Sequence, residues 1–218
     1  MNKNILSSLE AFPYFTIEGV KQLAGDDSII VGTVRTALYR WMKTGEVIQL
    51  KNGVYMTRRF YELHRADENF SPAVSAILIP QSYVSLDFIL QKHSILTDIT
   101  YPVSSLTRKN TRVFENKIGL FTYHHIKESL YCGFHISDYL GISIAQASVA
   151  KALFDYLYLR PGIMGIGSVS YNLAEELRLN LEDLPSEIQQ EFAQYVEISC
   201  SRKMDRILTN LRSTIWRP

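Results

Sequence analysis

The most regular stretch of the chain lies between residues 34 and 42. Val34, Ala37, Leu38, Trp41 and Met42 fall at i, i+3, i+4, i+7 and i+8, which is one apolar stripe of an α-helix. The other side of the same turns carries Arg35, Thr36, Tyr39, Arg40 and Lys43, and Gly45 stands where a helix commonly ends. Two shorter helices are expected before it. Asn4–Phe12 is stopped by Pro13, which cannot continue a helix. Thr16–Ala24 has Thr16 as its cap, Glu18 in the first turn, and Ile17, Val20, Leu23 and Ala24 as its apolar face. Gly25-Asp26-Asp27-Ser28 reads as a break. After the third helix, Val47–Met56 holds two β-rich runs on either side of Asn52-Gly53, the strongest short-range hairpin signal, and both residues tolerate the positive φ of a type I′ turn.

A polar stretch ending in Ser-Pro, residues 65–72, divides this pattern from a different one. Beyond it, Ala73–Ile79 and Leu86–His93 read as helices. Tyr101–Ser104, Arg112–Phe114, Ile118–Tyr123 and Gly141–Ala145 read as strands. A helix with a largely apolar face starts at Ser148 and stops at Pro161-Gly162, and residues 168–212 read as helices parted near Leu184-Pro185. The expected fold class is α+β. Residues 1–65 would form a winged helix-turn-helix, and residues 66–218 a mixed α/β domain with a helical end.

Three helices and a two-stranded hairpin within about sixty residues carry a definite chemistry. A helix fits the major groove, and its outward side chains reach base edges and phosphates while the hairpin lies along the neighbouring backbone. Arg pairs bidentately with guanine, whereas Lys acts as a point charge on phosphate. Arg35 or Arg40 is therefore expected on bases, with Thr36 and Tyr39 as hydrogen-bonding neighbours. Lys43, Lys51 and Arg58 are expected on phosphates, with Lys51 and Asn52 at the hairpin tip and Arg58 and Arg59 following the second strand. The alternative use of such a module is contact with another protein.

The stretch TVRTALYRWMKTGEVIQLKNGVYM resembles the N-terminal winged helix of AbiEi-type antitoxins, from the bacterial abortive-infection (AbiE) toxin–antitoxin systems. Ser82-Tyr83-Val84-Ser85-Leu86, with Ile89-Leu90 and His93 after it, is similar to a second segment of that family. Ile142–Asp155 is similar to a third, so the likeness covers most of residues 15–160. Two positions depart from the pattern: Val149-Ala150 stands where an acid often precedes the lysine, and Ser94 replaces a glycine after His93. The resemblance implies a transcriptional repressor that binds inverted repeats of double-stranded DNA in its own promoter and is not an enzyme. It also implies a cognate nucleotidyltransferase-type toxin as partner, and a role in phage defence. Because one helix reads only a few base pairs, two copies on the repeat are expected.

Composition narrows the field further. The chain has 218 residues, of which 46 % are hydrophobic and 21 % charged, values of an ordinary globular protein. Its longest apolar stretch, Ala73–Pro80, is far short of the ~20 residues that span a bilayer, and the N-terminus lacks a signal-peptide pattern, so a cytoplasmic protein with no membrane partner is expected. Cys132 and Cys200 lie outside any metal-ligand spacing, and no metal or cofactor is expected. The net charge of +1 is unevenly spread: residues 1–65 hold nine Lys/Arg against six Asp/Glu, residues 174–197 one against seven, and residues 198–218 five against one.

Catalytic signatures are weak. Gly162-Ile-Met-Gly-Ile-Gly reverses the dinucleotide fingerprint and reads as a loop. His124 and His125 are adjacent on a strand and point to opposite faces. Glu115-Asn116-Lys117, with Asp87 and Asp98 upstream, has the residue types of a Mg²⁺-dependent nuclease but reads as a turn. Lys151 and Asp155, at i and i+4, read as a helix ion pair worth ~0.3–0.5 kcal/mol.

Overall fold

The computed structural model describes residues 3–24, 31–97, 102–162 and 171–216. The expected break at residues 25–28, most of the glycine-rich 162–167 segment, Asp98 and Tyr101 lie outside them.

The chain opens with α1 (Lys3–Leu9), a two-residue strand β1 (Phe15–Thr16) and α2 (Ile17–Ala24). Thr16 caps α2 as its position suggests, its hydroxyl accepting a hydrogen bond from the Gly19 amide at 3.2 Å. Then follow α3 (Val31–Thr44), β2 (Val47–Lys51) and β3 (Val54–Thr57), and the three strands pair antiparallel in the order β1-β3-β2. The hairpin turn differs from the expected type. Gly53 takes a positive φ of 79° but Asn52 does not, and the register shifts between Gln49 and Lys51. A type I′ turn needs both central residues at positive φ.

Next come α4 (Arg58–His64), capped by the Thr57 hydroxyl, and α5 (Phe70–Leu78). A second sheet has six strands: β4 (Ser82–Val84), β5 (Val103–Thr107), β6 (Arg112–Glu115), β7 (Leu120–His125), β8 (Phe134–Tyr139) and β9 (Ile142–Ala147). Their order is β6-β7-β5-β4-β9-β8, with β5·β7 and β4·β9 parallel and the rest antiparallel. Helix α6 (Leu86–Lys92) follows β4, and α7 (Val149–Leu159) follows β9. The chain closes with α8 (Leu173–Leu177), α9 (Ser186–Ser199) and α10 (Arg202–Thr214). The whole is a mixed α+β architecture. Ser75 of α5 bonds Ser105 and Tyr123 on one face of the large sheet, and α7 reaches Tyr83 on the other.

Two hydrophobic cores meet in the hairpin. Val47 and Tyr55 pack with Leu9, Phe15, Val20, Val34 and Leu38. Their neighbours Ile48, Leu50 and Met56 belong to the second core, with Phe60, Phe70, Tyr83 and Phe154. Side chains alternate across a strand, so one face of the small sheet serves the helices α1–α3 and the other serves the rest of the chain.

Candidate nucleic-acid interface

The α3 helix buries Val34, Ala37 and Leu38 and half-buries Trp41 and Met42 against the first core. The predicted stripe is thus the packed side, although Trp41 lies at its edge rather than in its centre. The helix ends at Gly45, at a φ of 82°, and the Glu46 amide closes the last turn on the Trp41 carbonyl at 2.8 Å. Thr44 donates to the Arg40 and Trp41 carbonyls at 3.1 Å, or to the Glu46 carboxylate at 2.7 Å.

The outward face is the predicted one. Arg35, Thr36, Tyr39, Arg40 and Lys43 are all exposed, Tyr39 at 63 %. Thr36 turns its hydroxyl back to the Gly32 carbonyl at 2.9 Å. Among the described residues, Arg35, Arg40 and Lys43 make no ion pair, so their charges remain available to an external anion.

The remaining predicted contacts separate. Asn52 stands exposed at the hairpin turn. Lys51 does not project from the tip: its ammonium turns inward and donates to the Ile77 and Leu78 carbonyls, at 3.1 and 2.7 Å, at the C-terminus of α5. A helix C-terminus carries partial negative charge, so this is a favourable berth for a cation. Arg58 and Arg59 are exposed in the first turn of α4 but engage carboxylates, Arg58 with Glu62 at 3.1 Å and Arg59 with Glu10 at 3.5 Å.

Sequence reasoning missed a neighbouring set. The turn after β6 is tied to the hairpin by Asn116, whose amide donates to the Leu50 carbonyl at 3.0 Å. Its carbonyl oxygen accepts from the Ile118 and Gly119 amides, so the chain reverses from Asn116 to Gly119, while Glu115 of the expected turn closes β6 instead. A groove of about 450 Å³ lies between the two, lined by Met42, Val47, Gln49–Asn52 and Phe114–Lys117.

The Lys151–Asp155 pair is present but is not the surface pair that the spacing suggests. Both side chains are fully buried. Lys151 bonds Asp155 and the Tyr83 hydroxyl, at 3.0 Å for the latter, while Tyr83 and Ser85 donate to the Asp155 carboxylate at 3.0 and 2.8 Å. Burial pushes the Asp155 carboxyl above its ordinary range, and Lys151 opposes the shift. Burial likewise raises the nearby Cys132 thiol, which disfavours a thiolate nucleophile. With every polar group paired, the cluster holds β4 against α7.

Among the described residues no group of three His, Cys, Asp or Glu could hold a metal ion, and no helix is long and apolar enough to cross a membrane. The chain matches none of the known protein-family models and none of the curated proteins with which it was compared.

Proposed function

We propose that residues 1–65 form a winged helix-turn-helix and that the chain binds double-stranded DNA as a transcriptional regulator, with α3 in the major groove. One observation carries this reading: the outward face of α3 presents three cations and a tyrosine that the fold leaves uncovered. An α-helix with side chains is about 10–12 Å across, and the major groove is about 12 Å wide. Arg35 and Arg40 are the base-reading candidates, each worth about 1–3 kcal/mol of discrimination when bidentate on guanine. Lys43 and Asn52 are candidates for the flanking backbone. Lys51 supports the hairpin from behind.

The finer reading, a repressor and antitoxin of the AbiE type with a nucleotidyltransferase toxin as partner, rests on the sequence resemblance. It is supported by a helix–hairpin unit joined to a larger α+β part. Two copies on an inverted repeat follow from the short reach of one recognition helix. The deciding measurement is a gel shift with the DNA upstream of the chain's own gene. The native chain retards that fragment at about 100 mM salt, and Arg40→Ala retards it at least tenfold less well while keeping its melting temperature. Equal retardation by the variant refutes the role of α3. No retardation by the native chain refutes DNA binding and leaves the protein-contact reading of the module. A nucleotidyltransferase reading frame beside the gene is the test of the antitoxin reading.

A further inference from the structure

The six-stranded sheet ends in an open edge at β8. Leu140 and Gly141 join this strand to β9, and both take a positive φ, 53° and 79°, as a type I′ turn requires. Such a turn bonds the main chains of Tyr139 and Ile142 to each other. Antiparallel pairs alternate between bonded and unbonded positions, so His135 and Ser137 also turn their main chain to β9. The Ser148 amide donates to the Gly133 carbonyl at 2.9 Å, which keeps the same phase. Phe134, Ile136 and Asp138 therefore direct their N–H and C=O groups away from the sheet. Among the described residues no other main chain bonds them there. Both ends of the strand are anchored, Phe134 stacking on Tyr83 at 4.9 Å and the Tyr139 hydroxyl donating to Asp67. Ile136, between them, is 68 % exposed.

An edge of this kind accepts another extended strand, and proteins guard such edges with lysine, proline, a bulge or brevity. Strand β8 has none of these: Phe-His-Ile-Ser-Asp-Tyr is six residues long and keeps an unbroken register with β9. At the opposite edge β6 is only four residues long, with Arg112 and Glu115 at its ends. The β8 edge is also its own complement. Rotated by half a turn about Ile136, it offers the same donors and acceptors in reverse order. In that register Ile136 faces Ile136 of a second copy, Phe134 faces Asp138 and His135 faces Ser137, so no charged side chain faces one of like sign. The outward N–H groups of both strands then all find carbonyls. Beside the strand's turn, two apolar grooves meet at Tyr14 and Gly141, and the exposed side chains of Phe12, Leu23, Leu140 and Ile136 line them. Apolar surface gathered in this way marks an association face. We propose that β8 pairs antiparallel with β8 of a second copy of this chain, which joins the two six-stranded sheets into one across a twofold axis at Ile136. This goes beyond the DNA-binding reading, because the edge is open without DNA, and it gives the protein a dyad of the kind that an inverted repeat matches.

Sedimentation equilibrium of the full-length chain without DNA, from about 5 to 500 μM, is the test, because a contact smaller than a standard interface is reversible in that range. The mass rises from that of one chain to that of two and stops there, since a twofold contact closes on itself. Ile136→Lys sets two ammonium groups face to face on the axis and keeps the chain monomeric. Its side chain is exposed, so the melting temperature is kept. Val113→Lys, at an exposed position of β6, dimerises like the native chain. Hydrogen exchange of the unaltered chain gives a readout free of any folding defect. The Ile136 and Asp138 amides slow at least about tenfold from dilute to concentrated samples, while those of His135 and Ser137, already bonded to β9, do not change. A native chain that stays monomeric, a dimer that survives Ile136→Lys, or a dimer whose Ile136 and Asp138 amides exchange as fast as in the monomer overturns the inference and leaves the α3 reading intact. A failed gel shift overturns the α3 reading and leaves the dimer standing.

Discussion

Replacing Lys151 by methionine is the sharpest test of how the larger part of the chain is held together. Lys151 and Asp155 are fully buried, and Tyr83 and Ser85 complete their polar shell. Methionine fills most of the lysine's volume, so the cost of Lys151→Met comes chiefly from the charge it strands. Removing one partner of a buried pair costs about 3–5 kcal/mol. For a chain of this length each kcal/mol lowers the melting temperature by roughly 2–4 °C, so a fall of about 6–20 °C is expected. The dependence on pH has a definite sign. Asp155 already titrates above its unfolded value, and loss of Lys151 raises it further. A carboxyl raised in the folded state contributes most stability below its unfolded pKa, and that contribution is lost as pH rises through the folded value. The gap between the native chain and the variant is therefore smaller at pH 5 than at pH 8. Thermal unfolding followed by circular dichroism at the two pH values measures it. The double change Lys151→Met/Asp155→Leu removes both charges and recovers most of the loss. A single variant within 1 kcal/mol of the native chain, or one more damaged at pH 5, refutes this account.

Two further stability predictions follow from the packing. Trp41→Ala costs about 2 kcal/mol in urea unfolding, below the ~3–5 kcal/mol of a fully buried aromatic, because Trp41 is only half-buried at the edge of the first core. Gly133→Ala costs about 2–4 kcal/mol by the same assay. Gly133 has a φ of 75°, and a Cβ there would meet the Tyr195 ring carbon Cζ at 2.6 Å and Lys151 Cδ at 3.0 Å. A variant as stable as the native chain would show that this corner can open.

The first sixty residues were legible because their signals are local. The α3 stripe, the Thr16 cap, the stop at Gly45 and the Asn52-Gly53 hairpin all lie within a few residues of the structure they specify. The same holds for α7, whose Ser148 cap accepts from the Lys151 amide at 3.0 Å. Strand β4 was missed because Ser82, Tyr83 and Val84 are all buried, leaving no alternation to read. Strand β8 was missed because Phe-His-Ile-Ser-Asp-Tyr, at the edge of the sheet, mixes polar and apolar residues on both faces. At the candidate interface the α3 residues were found by periodicity. Lys51 was assigned to the tip because nothing near it in sequence reveals the carbonyls of Ile77 and Leu78, more than twenty residues away.

A ribbon that serves two interiors at once leaves no joint between the α1–α3 unit, the head, and the body behind it. Ile48, Leu50 and Met56 are inserted in the body while Val47 and Tyr55 are inserted in the head. Cutting the chain after residue 65 would strip that ribbon of half its cover and leave a sticky sheet.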